Sequence, residues 1–246
     1  MPRFFVATPL QSGDVVTLPD EVTRHVQVLR LQPGDRIALF NGTGGEYSAE
    51  IVDMERRDTK VRVDTFVDID CEPPYRLTLA QGIAGNDKMD WLIEKAVELG
   101  AASFVPLTAS RSVVRLSGER AVRRQAHWQR IVQASCEQCG RNRMPEVAAP
   151  RELGAWLDSM PAAPAQGELR VLLSPRASVP FSSLPADPPG GEITVLVGPE
   201  GGLSSQEEAA ALACGFVALG LGPRVLRTET AGIAVLSALA ARWGGW

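Results

Sequence analysis

The sequence predicts an α/β protein in two parts: a small β-barrel, then a larger domain built on a mainly parallel sheet. Three observations predict it. Residues 1–70 hold short alternating or β-branched runs set off by tight-turn residues. Cys71-Glu72-Pro73-Pro74 then interrupts any regular element. Beyond Tyr75 the period changes, and apolar strands alternate with stretches of helical spacing.

In the first part, strands are expected at 15–18, 36–40, 47–52 and 60–64, with Pro33-Gly34-Asp35 and Asn41-Gly42-Thr43-Gly44-Gly45 as turns. Residues 20–31 fit one helix carrying His25, Leu29 and Arg30. The proline pair sets the boundary, giving domains 1–72 and 73–246.

In the second part, 77–80 reads as a buried strand. Residues 87–99 space Met89, Leu92, Ile93, Ala96, Val97 and Leu99 as one helical face, and Gly100 stops the helix. A strand at 103–107, a helix at 121–138 and strands at 170–173 and 193–197 continue the alternation. Ser204 with Glu207 forms a capping box for a helix that Gly215 ends; a strand at 216–219 and a small-residue helix at 231–241 follow. Residues 161–166 and 184–191 are Pro/Ala/Gly-rich loops.

Composition excludes several classes. With 45% hydrophobic residues and a net charge of −4, the chain is not of disordered type. No run reaches the ~18 apolar residues of a membrane helix, and the opening Met1-Pro2-Arg3-Phe4-Phe5-Val6 stretch has no signal-peptide core, so a cytoplasmic protein is expected. Cys71, Cys136, Cys139 and Cys214 are too scattered for a disulfide framework, and Cys136-x-x-Cys139 lacks the second pair a zinc site needs, so no metal is expected. His25 reads as structural and His127 as a surface residue.

Net acidity argues against a nucleic-acid partner only until it is divided along the chain. Residues 1–70 hold 8 basic and 12 acidic groups, 71–150 hold 11 and 8, and 151–246 hold 6 and 9. Between 111 and 143, Arg111, Arg115, Arg120, Arg123, Arg124, Arg130, Arg141 and Arg143 face only Glu119 and Glu137. Arginine suits forked contact with phosphate, although a solvated helix face accounts for such a stretch equally well.

The most informative segments are two glycine loops, each after an apolar strand. Ile193-Thr194-Val195-Leu196-Val197 runs into Gly198-Pro199-Glu200-Gly201-Gly202, and Phe216-Val217-Ala218-Leu219 runs into Gly220-Leu221-Gly222-Pro223-Arg224-Val225-Leu226-Arg227-Thr228-Glu229-Thr230-Ala231. In parallel sheets the loop beyond a strand's carboxyl end is where ligands bind, and glycine lets backbone amides approach them. A plain turn also explains a glycine-rich connection, and no phosphate-binding GxxxxGK[ST] run is present. Thr228 or Thr230 can start the last helix as a cap, but capping leaves Arg227 and Glu229 unexplained.

These two loops together resemble the C-terminal signature of the SPOUT methyltransferases, and within them the 16S ribosomal RNA uracil-N3 methyltransferase family. The similarity covers nearly the whole chain. Arg3-Phe4-Phe5-Val6, His25 with Val28-Leu29-Arg30, Gly34-Asp35, Glu94-Lys95 and Glu98-Leu99-Gly100, Arg111-Ser112, and Glu137-Gln138-Cys139-Gly140-Arg141 all fall in the family's order.

The resemblance implies an N-terminal barrel similar to RNA-binding PUA domains and a C-terminal α/β domain whose last segments thread a trefoil knot. It also implies a homodimer that binds S-adenosylmethionine in the knot and acts on 16S rRNA within the small ribosomal subunit. Gly198, Pro199, Glu200 and Gly201 then form one wall of the cofactor pocket, and Leu219, Gly220, Leu221, Gly222, Leu226, Arg227 and Thr228 another. Leu173 and Ser174 form a third. Arg3, Arg30, Arg111, Arg115, Arg123, Arg124, Arg141 and Arg143 are the expected RNA contacts. The family usually has lysine where this chain has Gly85, and Lys88 is the expected substitute; Cys139 stands where serine is common.

The chemistry constrains the roles. Uracil N3 carries a proton and is a poor nucleophile until that proton is removed or the anion is bound. Arg227 and Arg141 are candidates for stabilising charge on the uracil carbonyls, and Glu200 or Glu229 for accepting the proton. Structural salt bridges are the alternative for both acids. Two other functions compete: a non-catalytic RNA-binding module of the same architecture, which predicts no cofactor affinity, and a nucleotide-phosphate enzyme, disfavoured because no lysine follows either loop.

Overall fold

The computed structural model describes residues 1–85 and 87–246, which form two compact units. Met1–Cys71 and Cys136–Met144 make the first, and Glu72–Ser135 and Pro145–Trp246 the second. The prolines at 73 and 74 lie at the first crossing. The return of 136–144 to the first unit has no sequence mark, because a continuous helix spans that crossing.

The first unit contains β1 (Arg3–Phe5), β2 (Val15–Thr17), α1 (Asp20–Val28), β3 (Arg36–Phe40), β4 (Glu46–Met54) and β5 (Thr59–Val67). Strand order is β1-β3-β4-β5-β2, with β1 parallel to β3 and the remaining pairs antiparallel. Phe4, Ile37, Leu39, Ile51, Val61 and Val63 share a core with Val22 and Val26 of α1. The three-residue strands β1 and β2 are the sheet's edges, so the expected barrel is not closed by hydrogen bonds between them.

Helix α1 stops at Val28 rather than at 31. Arg30 turns left-handed, φ 57°, and its N–H donates to the Gln27 carbonyl at 2.9 Å while Leu31 N–H donates to Val26 at 3.2 Å. This is a Schellman ending with arginine where glycine is usual. The 136–144 segment is gripped by Arg3, whose guanidinium pairs with Glu46 and donates to Asn142 Oδ1 at 2.6 Å and Arg141 O at 3.2 Å.

The second unit contains β6 (Leu77–Gly82), α2 (Lys88–Glu98), β7 (Ser103–Thr108), α3 (Gly118–Cys139, its last turn counted with the first unit), β8 (Glu146–Val147) and β9 (Arg151–Glu152). Then come α4 (Leu153–Asp158), β10 (Leu169–Leu173), a 3-10 turn (Phe181–Ser183), β11 (Ile193–Val197), α5 (Ser205–Ala213), β12 (Val217–Leu219) and α6 (Thr228–Trp243). The strand order is β12-β10-β11-β6-β7-β8, with β9 also on β7, and every pairing is parallel. Buried on both faces, the central strands β6, β10 and β11 read as largely apolar runs. Among the described residues no helix is long and apolar enough to cross a membrane.

Gly232 of α6 lies against Leu79, Gln81 and the α2 residue Leu92, so α2 and α6 share one sheet face. On the other, Ala80, Leu172 and Leu196 pack with Trp156, Leu157 and Ala211 of α4 and α5. Register completes the frame: Leu173 lies beside Val197 and Leu219, and Val197 beside Gln81. Four neighbouring strands therefore end along one line.

His127, expected at the surface, keeps a partly exposed ring and meets Asp90 of α2 at 2.7 Å, a partner no local pattern showed. The same carboxylate accepts from Trp128 Nε1 at 2.9 Å and lies 3.1 Å from Arg124, so α2 and α3 are stitched together.

Candidate active site

The loops leaving that line enclose a cleft of about 510 Å3, a size suited to a small-molecule ligand. Its walls come from 173–176, 197–203 and 219–228, closed by Arg111, Glu208 and Ala231.

Close backbone approach explains the glycines. A Cβ on Gly82 would overlap the Pro199 backbone nitrogen, and one on Gly201 would lie 2.8 Å from Arg111 Cβ. The capping box forms as expected: Ser204 accepts from Glu207 N–H and Glu207 from Ser204 N–H. Glu207 also accepts from Ser110 N–H at 2.7 Å, tying the loop after β7 to α5. Burial opposes ionisation of Glu207, but the Ser110 and Ser204 amides and hydroxyls outweigh it and hold the carboxyl below its usual range.

Thr228 is not a cap. Arg227 occupies the N-cap position with no side-chain cap bond, and Thr228 is already helical and buried. Its hydroxyl donates to the Gly198 carbonyl at 2.5 Å and accepts from Gln81 Nε2 at 2.8 Å. One threonine thus joins β6, the first glycine loop and the end of the second.

Glu200 turns back toward the start of α2. Its Oε1 accepts from Gly85 N–H at 2.8 Å and lies 3.4 Å from Lys88 Nζ; Glu229 Oε1 lies 3.9 Å from the same ammonium. Burial opposes ionisation of Glu200, yet the Gly85 amide, its own amide and Lys88 prevail, so its carboxyl also sits below the usual range. On the opposite wall, Glu208 accepts from Ser174 Oγ at 3.0 Å and pairs with Arg176 at 2.8 Å.

The structure brings together Leu173, Ser174, Gly198, Pro199, Glu200, Gly201, Leu219, Leu221, Gly222, Leu226, Arg227 and Thr228 on the cleft wall. Gly220 faces away from it: its N–H donates to Val179 O at 2.9 Å, and a Cβ there would lie 3.0 Å from the Ala177 carbonyl. Glu229 stands behind the wall. Arg141, expected at the uracil and on the RNA surface, is 4% exposed and belongs to the first unit, so it offers no open guanidinium. Arg3 is likewise consumed internally by Glu46 and Asn142.

Lys88 meets two carboxylates instead of standing free, and Arg124 is held by Asp90. Arg111 lines the cleft but donates to the carbonyls of Gly201 and Leu203. Arg115 reaches Ser110 O, Arg123 pairs with Glu119, and Arg143 pairs with Asp70; with Arg30, all three remain exposed. Sequence reading missed Gln81, Arg176, Glu208 and Arg224. Gln81 sits in an apolar run, and a polar residue next to the last position of a buried strand was the available signal.

A family model described as an RNA methyltransferase domain matches residues 71–240. The chain belongs to this RNA methyltransferase family. A second model, the RNA methyltransferase PUA domain, matches 18–64. Within the family, the ribosomal RNA small subunit methyltransferase E of Bacillus subtilis is 32% identical over 253 residues, 97% of this chain and 96% of that protein. The protein of that name from Buchnera aphidicola subsp. Schizaphis graminum is 31% identical over 99% of this chain and 97% of its own. The crystal structure of a ribosomal RNA small subunit methyltransferase E from Neisseria gonorrhoeae bound to S-adenosyl methionine superposes with a TM-score of 0.91 at 37% identity, covering 99% of this chain and 98% of that one.

Proposed function

We propose that this methyltransferase modifies N3 of a uridine in 16S rRNA of the small ribosomal subunit, with S-adenosylmethionine bound in the cleft. In this reading it is a cytoplasmic homodimer whose last segments thread a trefoil knot, with 1–72 holding RNA and 73–246 carrying catalysis and dimerisation. The observation that carries the reading is the cleft at the common strand edge, walled by both glycine loops and joined by Thr228.

The residues suit that cofactor. Leu173, Leu203, Leu221 and Leu226 give apolar walls, the glycines leave backbone open at the edge, and Glu208 and Arg176 offer opposite charges for an amino-acid end. When bound, the cofactor supplies an electrophilic methyl group. Glu200, kept ionised, accepts the N3 proton. Exposed Arg227, without an ion pair among the described residues, neutralises charge on a uracil carbonyl. The walls fix the approach in line, which supplies much of the rate. Exposed Arg30, Arg115, Arg123 and Arg143 remain available to phosphates.

Calorimetry with S-adenosylmethionine and S-adenosylhomocysteine tests the reading, and absence of binding overturns it. Turnover of Glu200→Gln and Glu229→Gln, with cofactor affinity measured separately, tests the acids: wild-type turnover in both removes the carboxylate base.

A further inference from the structure

We propose that Lys88 is a positioning residue for methyl transfer, clamped between Glu229 and Glu200 so that the Glu200 carboxylate stays ionised with its second oxygen left unpaired. The inference rests on the uridine-methylating reading and assigns Lys88 a different task from phosphate contact.

The geometry is asymmetric. Glu200 Oε1 is spoken for by the Gly85 amide at 2.8 Å and by Lys88 at 3.4 Å. Glu200 Oε2 is buried and has no hydrogen-bond partner among the described residues. Glu229 Oε2 is equally buried and unpartnered among them, but of the two residues only Glu200 lines the cleft, so a turn of its side chain offers the unpaired oxygen to a donor bound there. The uracil N3–H is such a donor: its proton passes to Oε2, and the N3 electron pair forms the new bond to carbon as the carbon–sulfur bond breaks.

Glu229 acts through Lys88. It is not on the cleft wall, sits in the first turn of α6, and places its Oε1 3.9 Å from the ammonium. The groups placed about Glu200 are therefore Lys88 of α2, Glu229 of α6 through that shared ammonium, the Gly85 amide, and Arg111, which lies against the neighbouring Gly201 and turns its guanidinium to the Gly201 and Leu203 carbonyls. One ammonium serves two carboxylates. Without it, burial and like-charge repulsion both favour protonating Glu200, which disarms it as a base.

The test is single-turnover methyl transfer between pH 4.5 and 8 for wild type, Lys88→Met, Lys88→Arg and Glu229→Gln, with RNA affinity measured at two salt concentrations. Lys88→Met is expected to move the acid limb of the rate profile upward by about one pH unit, roughly tenfold slower below that limb, with RNA affinity and its salt slope unchanged. Lys88→Arg restores the profile. Glu229→Gln, which relieves repulsion, moves the limb downward and so reports even if Lys88→Met fails to fold.

An unmoved limb with weaker RNA binding and a salt slope smaller by about one makes Lys88 a phosphate contact and overturns the inference. Loss of transfer at every pH in Glu229→Gln makes Glu229 the base and overturns it too. Wild-type protein that methylates no N3 position overturns the underlying reading itself, an outcome distinct from an active wild type with an indifferent Lys88→Met.

Discussion

Thr228 Oγ1 donates to the Gly198 carbonyl across 2.5 Å and fastens the first turn of α6 to the loop that follows β11. Gln81 Nε2 completes the joint from β6. Thr228→Val keeps the shape and removes the hydroxyl, taking from Gly198 O its side-chain donor and leaving Gln81 Nε2 with the Gly82 carbonyl at 2.9 Å. The expected cost is about 1–3 kcal/mol of stability, with a roughly tenfold loss of cofactor affinity and recovery in Thr228→Ser. Thermal unfolding and calorimetry check it.

Gly201 of the cleft wall and Gly85, whose amide holds Glu200, are expected to behave differently. Gly201→Ala would set a Cβ 2.8 Å from Arg111 Cβ and 3.0 Å from Arg111 O, so the loop must shift and cofactor affinity falls. Gly85→Ala would meet Glu200 Oε1 at 3.4 Å, an ordinary contact, and is expected to bind cofactor like wild type. Calorimetry on the pair compares them.

The arginines divide by what they touch. Arg227→Ala is expected to lower the single-turnover rate by about 10²-fold or more with little change in melting temperature, because its side chain is exposed at the cleft. Arg3→Ala has the opposite signature: it leaves Glu46, 8% exposed, without its cation, so stability falls while the salt slope of RNA binding stays constant.

Acid stability hinges on Arg170, whose side chain is 2% exposed. Its guanidinium holds both oxygens of Glu168, at 2.6 and 3.1 Å, and also donates to the carbonyls of Pro161 and Cys214. Arg170 thereby keeps the Glu168 carboxyl below its usual range against the opposing effect of burial. A depressed carboxylate stabilises the fold above its unfolded value of about 4.3 and loses that contribution as pH falls through the folded one. Glu168→Gln is therefore expected to be destabilised by about 1–3 kcal/mol at pH 7 and to converge on wild type as acid protonates Glu168 in the folded protein, as measured by urea unfolding.

Elements with a clear period were legible in the sequence. The buried strands at 36–40 and 193–197 have the predicted ends, because apolar runs bounded by turn residues leave little choice. The two-residue strands β8 and β9 were not legible, since two residues have no period, and the left-handed Arg30 ended α1 early without a glycine to announce it. Around the cleft, the glycine loops named most of the wall. What they could not give was side-chain direction: Thr228 looked like a cap and is a joint, Lys88 looked like a phosphate contact and meets two carboxylates, and Arg141 looked open and is buried. Each depends on a partner 30 or more residues distant or on burial, neither of which a local pattern records.

The central claim is tested most directly by nucleoside mass spectrometry of small-subunit rRNA incubated with the protein and S-adenosylmethionine carrying a labelled methyl group, starting from subunits that lack the modification. The account predicts labelled N3-methyluridine, absent without cofactor and strongly reduced with Glu200→Gln. Label on another atom, or no label in RNA from a protein that binds the cofactor, contradicts it.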